Sequence, residues 1–305
     1  MHIVSCGTIK RAQDWLFHSA RPSFWITRVA VLSLLLPFAG TRAADTGIFV
    51  VQPDGTQERL VAEVPGYSHH ESPRWSHDGK RLAFGVSQGR DLASMMIYVV
   101  NVDGSELNKV GEGELPDWSP DDKQLVSWHH GGTAEFGVWV HSIDGTGREW
   151  LAKGGSARWS RDGSQMAFAW QHKLRLIDLA SDELYVHLDL QFQENLVAFD
   201  WSPDDQQIAF VNRRPTENTR KLFLVNTRDN APEAQVVPIP GGRLGSHLSW
   251  SPDGKQLAIA LNGFIQLVNL DHPERPQRLP GQTIPSYDPS FSPDGKWIAF
   301  SRRPD

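Results

Sequence analysis

Apolar and polar positions in this chain keep a regular beat. One ten-residue phrase recurs six times: an aromatic residue, a polar turn, then alternating large and small apolar side chains. The phrase runs Trp75–Phe84, Trp118–Ser127, Trp159–Phe168, Trp201–Phe210, Trp250–Ile259 and Phe291–Phe300. The steps between the leading aromatics are 43, 41, 42, 49 and 41 residues. A period of this size carrying strand–turn–strand signals predicts a β-propeller with one repeat per blade.

Each phrase has a mechanism. In Ser-Pro-Asp-Gly, Pro presets φ at the first central position, Asp bonds nearby backbone and Gly takes positive φ. The residues that follow, such as Leu82-Ala83-Phe84 and Ile298-Ala299-Phe300, are apolar on both faces of a strand. That fits a blade sandwiched between two others. The aromatics Trp75, Trp118, Trp159, Trp201, Trp250 and Phe291 are read as inter-blade packing residues because they recur at one position.

A second pattern lies between the first ones. Ile48–Val51, Ile97–Val100 and Val138–His141 each precede an Asp-Gly pair, and Leu174–Ile177, Leu222–Val225 and Ile265–Val268 complete the set. Asp-Gly between two β runs predicts a hairpin. The expected fold is all-β: a six-bladed propeller with four antiparallel strands, A to D, per blade. The chain opens with a C–D unit and ends with an A–B unit. Pairing residues 48–62 with 286–302 in one blade closes the ring without an exposed edge.

Residues 1–43 are set apart. Lys10, Arg11, Arg21 and Arg28 precede an apolar run from Val29 to Gly40, then Thr41-Arg42-Ala43-Ala44. This is the pattern of a secretory signal peptide, with 44–305 as the propeller. The alternative is an uncleaved anchor extended by Phe24-Trp25-Ile26, which would make the leader the only membrane contact. The leader holds five of the 30 Lys+Arg and one of the 36 Asp+Glu, so the remainder carries 25 basic against 35 acidic residues. That excess argues against a nucleic-acid partner. The single cysteine, Cys6, lies in the leader, so the ring has no disulfide framework and no thiol nucleophile.

The phrase Pro73-Arg-Trp-Ser-His-Asp-Gly-Lys-Arg-Leu-Ala-Phe84, and its counterpart from Pro289 to Phe300, resembles the propeller repeat of the TolB family. TolB is the periplasmic component of the Tol-Pal envelope system. The resemblance covers residues 48–305 and implies a periplasmic protein- or peptide-binding role. TolB also has an N-terminal α/β domain, and only four or five residues separate the expected cleavage site from the first strand here. The expectation is a propeller-only relative with an envelope protein or peptide as partner.

Hairpin logic sorts the loops. A–B and C–D turns share one face and are repetitive; D–A and B–C connections share the other and are irregular, which is where function usually sits. The binding-face candidates are Tyr67, His69, His70, Glu71, Glu114, His129, His130, Glu194, His247, Tyr287 and Asp288. No cofactor is expected. His69, His70, Glu71 and His247 are a weaker metal-binding alternative. It would suit a carbohydrate-active enzyme resembling the oligogalacturonate lyases, which use histidine-bound metal in the channel. A small-molecule or sugar site in the channel is a third reading. No Gly-x-Ser-x-Gly elbow, phosphate loop or dinucleotide fingerprint occurs. The sequence therefore points to a binding module rather than an enzyme.

Overall fold

The computed structural model describes residues 46–302 apart from 90–93, 131–134, 171–172, 182–183, 189–197, 214–217 and 229–232, and without the side chains of Leu184–Leu188. The leader and Glu194 lie outside the described residues.

Strand-forming runs fold where the period places them. The first sheet to be completed in chain order, blade 1, holds His69–Trp75 (β3), Arg81–Ser87 (β4), Met96–Asn101 (β5) and Asn108–Glu112 (β6), hydrogen-bonded in that order. Blades 2 to 5 repeat it, and their inner strands are Glu114–Trp118 (β7), Ala157–Trp159 (β11), Phe199–Trp201 (β15) and Leu244–Trp250 (β19). Blade 6 joins the chain's two ends. Tyr287–Phe291 (β23) and Ile298–Arg302 (β24) pair with Gly47–Val51 (β1), which pairs with Arg59–Ala62 (β2). All six sheets are antiparallel and four-stranded, and among the described residues there is no α-helix.

The core lies between blades, against the second strand of each. In β4 every residue after Arg81 is buried. Such apolar burial contributes about 25 cal/mol per Å² removed from water. The clasp follows the same chemistry. Phe49 faces Phe300 and Val51 faces Ile298 across β1 and β24. The two phenyl rings stack at 5.6 Å, and Arg302 lies 4.5 Å over Phe49 while its guanidinium meets Glu58 at 2.9 Å.

Six A–B turns share one bonding scheme. The Ser after each aromatic accepts, on its carbonyl, the N–H three residues on. Its hydroxyl donates to the turn Asp at 2.6–2.8 Å. The same oxygen accepts the N–H five residues on, as Ser76 does from Arg81. The Ser hydroxyl is the leading reason that Asp121, Asp204, Asp253 and Asp294 sit below the usual carboxylate range.

Two of the turns replace Gly with Asp, and both reach into the preceding blade. Asp122 keeps φ at +56° and accepts the N–H groups of His77 (2.7 Å) and Asp78 (2.9 Å). Asp205, at +55°, does the same for Arg161 (2.7 Å) and Asp162 (2.9 Å). His77 and Arg161 occupy the position that is Pro in the other four turns. Pro has no N–H to give. Where the next blade keeps Gly, the preceding blade keeps Pro: a Cβ at Gly163 would lie 3.0 Å from Pro120, and one at Gly295 would lie 3.2 Å from Pro252.

Candidate functional site

The inner strands crowd the axis, and the residue before each leading aromatic decides what fills it. Those residues are Arg74, Asp117, Arg158, Asp200, Ser249 and Ser290 in ring order. Arg74 donates to Asp117 at 3.2 Å and, across the axis, to Asp200 at 2.6 Å. Arg158 meets Asp117 at 3.4 Å and the carbonyls of Pro116 (3.0 Å) and Phe199 (3.3 Å). Blades 1 and 4 face one another in a six-membered ring, so the Arg74–Asp200 pair closes the channel.

Electrostatics fit a neutral hub. Burial opposes the Arg74 charge, but Asp200 and Asp117 outweigh it and hold its pKa above the ordinary value. Arg158 is pulled down to about 10, by burial first and by Arg74 second, against the two carboxylates. Burial pushes Asp200 up, and Arg74, Arg161 and Arg158 carry it below the ordinary value. On the turn side of this hub lies a cavity of about 30 Å³ lined by Asp117, Trp159, Asp200, Trp201 and Phe291 among others. These ion pairs cross the axis where a small-molecule or sugar site in the channel was the third reading.

The leading aromatics bridge blades. The Trp75, Trp118 and Trp201 indoles donate to the carbonyls of Ser290 (3.0 Å), Arg74 (3.0 Å) and Arg158 (3.3 Å) in the preceding blades. Trp250 is buried without a partner for its N–H, and Trp159 and Phe291 are half-buried.

The irregular face departs from the sequence reading at several residues. His70 is fully buried, packs on Phe84 and accepts the Val64 N–H at 2.8 Å through Nε2. Burial, then His69, pulls its pKa to about 4. It is a core histidine, because β3 alternates and His70 takes the inward side. Glu114 and His129 are also buried rather than presented. Glu114 pairs with His130, whose ring lies tilted against Trp128 at 3.9 Å, and His129 lies 3.5 Å from Glu112. Tyr67, His69, Glu71 and Tyr287 remain half-buried on that face; Tyr67 meets Tyr98 edge-on at 6.1 Å, and His69 bonds Ser68 at 3.0 Å.

The proposed metal ligands do not assemble. His70 spends Nε2 on backbone, and His247 spends both ring nitrogens on protein atoms. Among the described residues no group of three or more His, Cys, Asp and Glu has metal-binding geometry.

What the fold does bring together is His247 and Asp288, with a residue the sequence reading passed over. Asp288 Oδ1 lies 2.9 Å from His247 Nδ1, and Ser72 Oγ lies 3.1 Å from His247 Nε2. Asp288 Oδ2 also accepts the Ser301 hydroxyl (2.8 Å) and the Ser72 N–H (3.2 Å). Ser72, His247 and Asp288 each stand three residues before the leading aromatic of their blade. That shared register was the available signal.

No family model matches the chain. It is 25% identical over 185 residues to an uncharacterised protein of Agrobacterium fabrum, covering 53% of this chain and 60% of that protein. It is 24% identical over 280 residues to dipeptidyl-peptidase 5 of Porphyromonas endodontalis, covering 88% of this chain and 34% of the peptidase. The chain thus spans less than two thirds of the Agrobacterium protein's length and about a third of the peptidase's. Among solved structures, a TolB candidate from Agrobacterium tumefaciens superposes with a TM-score of 0.63 at 19% identity, over 85% of this chain and 98% of that one. TolB from Acinetobacter baumannii gives 0.54 at 15% identity, over 84% and 63%. The chain is a TolB-like six-bladed propeller in fold.

Proposed function

We propose that this chain is an exported, periplasmic propeller that binds a protein or peptide of the cell envelope through its irregular face. The observation that carries this reading is the contrast between the two faces. One face is six copies of a single hydrogen-bonded turn. The other gathers the connections that differ from blade to blade, around a mouth floored by the Arg74–Asp200 pair. A rigid disc with one variable face suits recognition. The TolB-like fold and the leader pattern support the location. A chain of similar fold (TM-score 0.55, 12% identity) comes from a nidogen/laminin complex, in line with a protein-binding reading.

Binding asks for accessible side chains, so the test uses Tyr67, His69 and Glu71 rather than the buried His70. Wild-type protein and the triple Ala variant serve as baits in envelope extracts. Loss of a specific partner from the variant is expected, and identical recovery by both sinks this placement. Fractionation tests the location separately: unprocessed chain in the cytoplasm would contradict export.

A further inference from the structure

The Ser72–His247–Asp288 cluster does not follow from the repeat. The six equivalent positions hold Ser72, Leu115, Ser156, Ala198, His247 and Asp288, so the inner strand accepts an alkyl group there as readily as a polar one. Ser72, Leu115 and Asp288 share a φ of +53 to +55°, so the left-handed backbone belongs to the strand bulge and not to the chemistry. The side chains are what is particular to this site.

Their order matches nucleophile, base and orienting acid. A carboxylate only accepts, so in the neutral imidazole the 2.9 Å contact puts the proton on Nδ1 and leaves Nε2 to accept from Ser72 Oγ at 3.1 Å. The Ser301 hydroxyl and the Ser72 N–H fix Asp288. Ser72 is 3% exposed, as is the Asp288 side chain, and the His247 side chain is 14% exposed, so nucleophile and acid are sheltered and the base is the member nearest solvent. The ring is needed to assemble the set, since the residues come from blades 1, 5 and 6.

We propose that Ser72 is a sheltered but activated nucleophile beside the axis and that the chain carries out acyl transfer on esters small enough to reach it past His247, an activity beyond partner binding and independent of it. Ser72 Oγ attacks the acyl carbon and its proton passes to His247 Nε2. The bond to the leaving oxygen breaks, and the Nε2 proton goes to that oxygen. Water then cleaves the acyl-serine, giving one proton back through His247 and releasing the acid. The substrate class follows from two constraints. The ion-paired hub limits depth, which favours short acyl groups. The Ser72 N–H is committed to Asp288 and so is not an oxyanion donor, which favours esters with good leaving groups over amides.

The test is covalent labelling of the whole chain with a fluorophosphonate, located by intact mass and peptide mapping, with p-nitrophenyl acetate as a second probe. One phosphonyl group on Ser72 and an acetyl burst are expected. Ser72→Ala should abolish both, and His247→Gln should slow labelling by about 100-fold or more while thermal unfolding stays cooperative. Labelling needs no variant to fold, so wild-type protein that takes no adduct, or takes it on another residue, overturns the proposal. Equal labelling of wild type and a folded His247→Gln variant also overturns it.

Discussion

Exchanging one kind of inter-blade turn contact for the other should be nearly neutral, although each half of the exchange is costly. The pair is His77 and Asp122. The Asp122 carboxylate, with its side chain 12% exposed, takes the His77 and Asp78 N–H groups and lies 3.1 Å from His77 Nδ1. Hydrogen bonds to a charged group each contribute about 1.5–3 kcal/mol. Asp122→Gly forfeits two of them, regains about 1 kcal/mol by relieving the positive φ, and lets water reach the freed N–H groups. The expected net loss is about 2 kcal/mol. His77→Pro deletes one donor and the imidazole contact beneath a retained carboxylate, also about 2 kcal/mol. The double variant recreates the Pro–Gly contact of Pro120 with Gly163 and should lose about 1 kcal/mol or less, a coupling of about 3 kcal/mol. Urea unfolding of the four proteins at constant m reads this directly. A double variant that loses the sum, about 4 kcal/mol, would show that the two contacts are not interchangeable and refute the reasoning.

Three further outcomes are expected. Arg74→Met leaves Asp117 and Asp200 short of their shared cation and should cost about 3–5 kcal/mol in chemical denaturation, whereas loss of less than about 1 kcal/mol would mean the hub is solvated. Stability should be level above pH 6.5 and fall as the pH drops toward 4. His70 and His141 are both held at about 4 in the fold, by burial first, and regain 6.5 on unfolding. The unfolded chain then binds the extra protons, about 3 kcal/mol per histidine in full; His70→Gln should flatten the slope by about one proton, and an unchanged slope would show that His70 titrates normally. Deleting residues 44–62 removes β1 and β2, uncovers Phe300 and opens the edge of β24; light scattering should report aggregation, and a monomer with cooperative unfolding would contradict the clasp.

The strands and their closure were legible because each rests on local chemistry. Trp-Ser-Pro-Asp-Gly forms its turn from its own atoms, and Leu82-Ala83-Phe84 declares two buried faces without reference to neighbours. The site was less legible because its contacts cross blades. His70 and His69 read alike in sequence, yet strand alternation sends one into the core and leaves the other half-exposed. Glu114 was read as a loop acid, but it begins β7 and is buried against His130. His247 and Asp288 were singled out for lying near irregular loops, and the fold sets them 2.9 Å apart. Ser72 was not among the candidates, and only the bulged inner strand sets its hydroxyl beside His247. The role of Asp122 and Asp205 was not legible, since their partners lie about 44 residues upstream.

The alternation at the hub has a bearing on how a ring like this is lengthened or shortened. Trp75 and Trp159 are 84 residues apart and both follow Arg; Trp118 and Trp201 are 83 apart and both follow Asp. The same partition governs the turns, with His77 and Arg161 in the donor blades and Asp122 and Asp205 in the acceptor blades. Over the first four blades the unit that can be copied or lost without orphaning a partner is therefore two blades. Inserting one alone would set like charges side by side on the axis and face an Asp turn with a proline. Blades 5 and 6, with Ser249 and Ser290 at the hub and Pro-Asp-Gly in both turns, carry neither constraint. They are the sector in which single-blade change meets least resistance, and they also supply the His247 and Asp288 of the channel mouth.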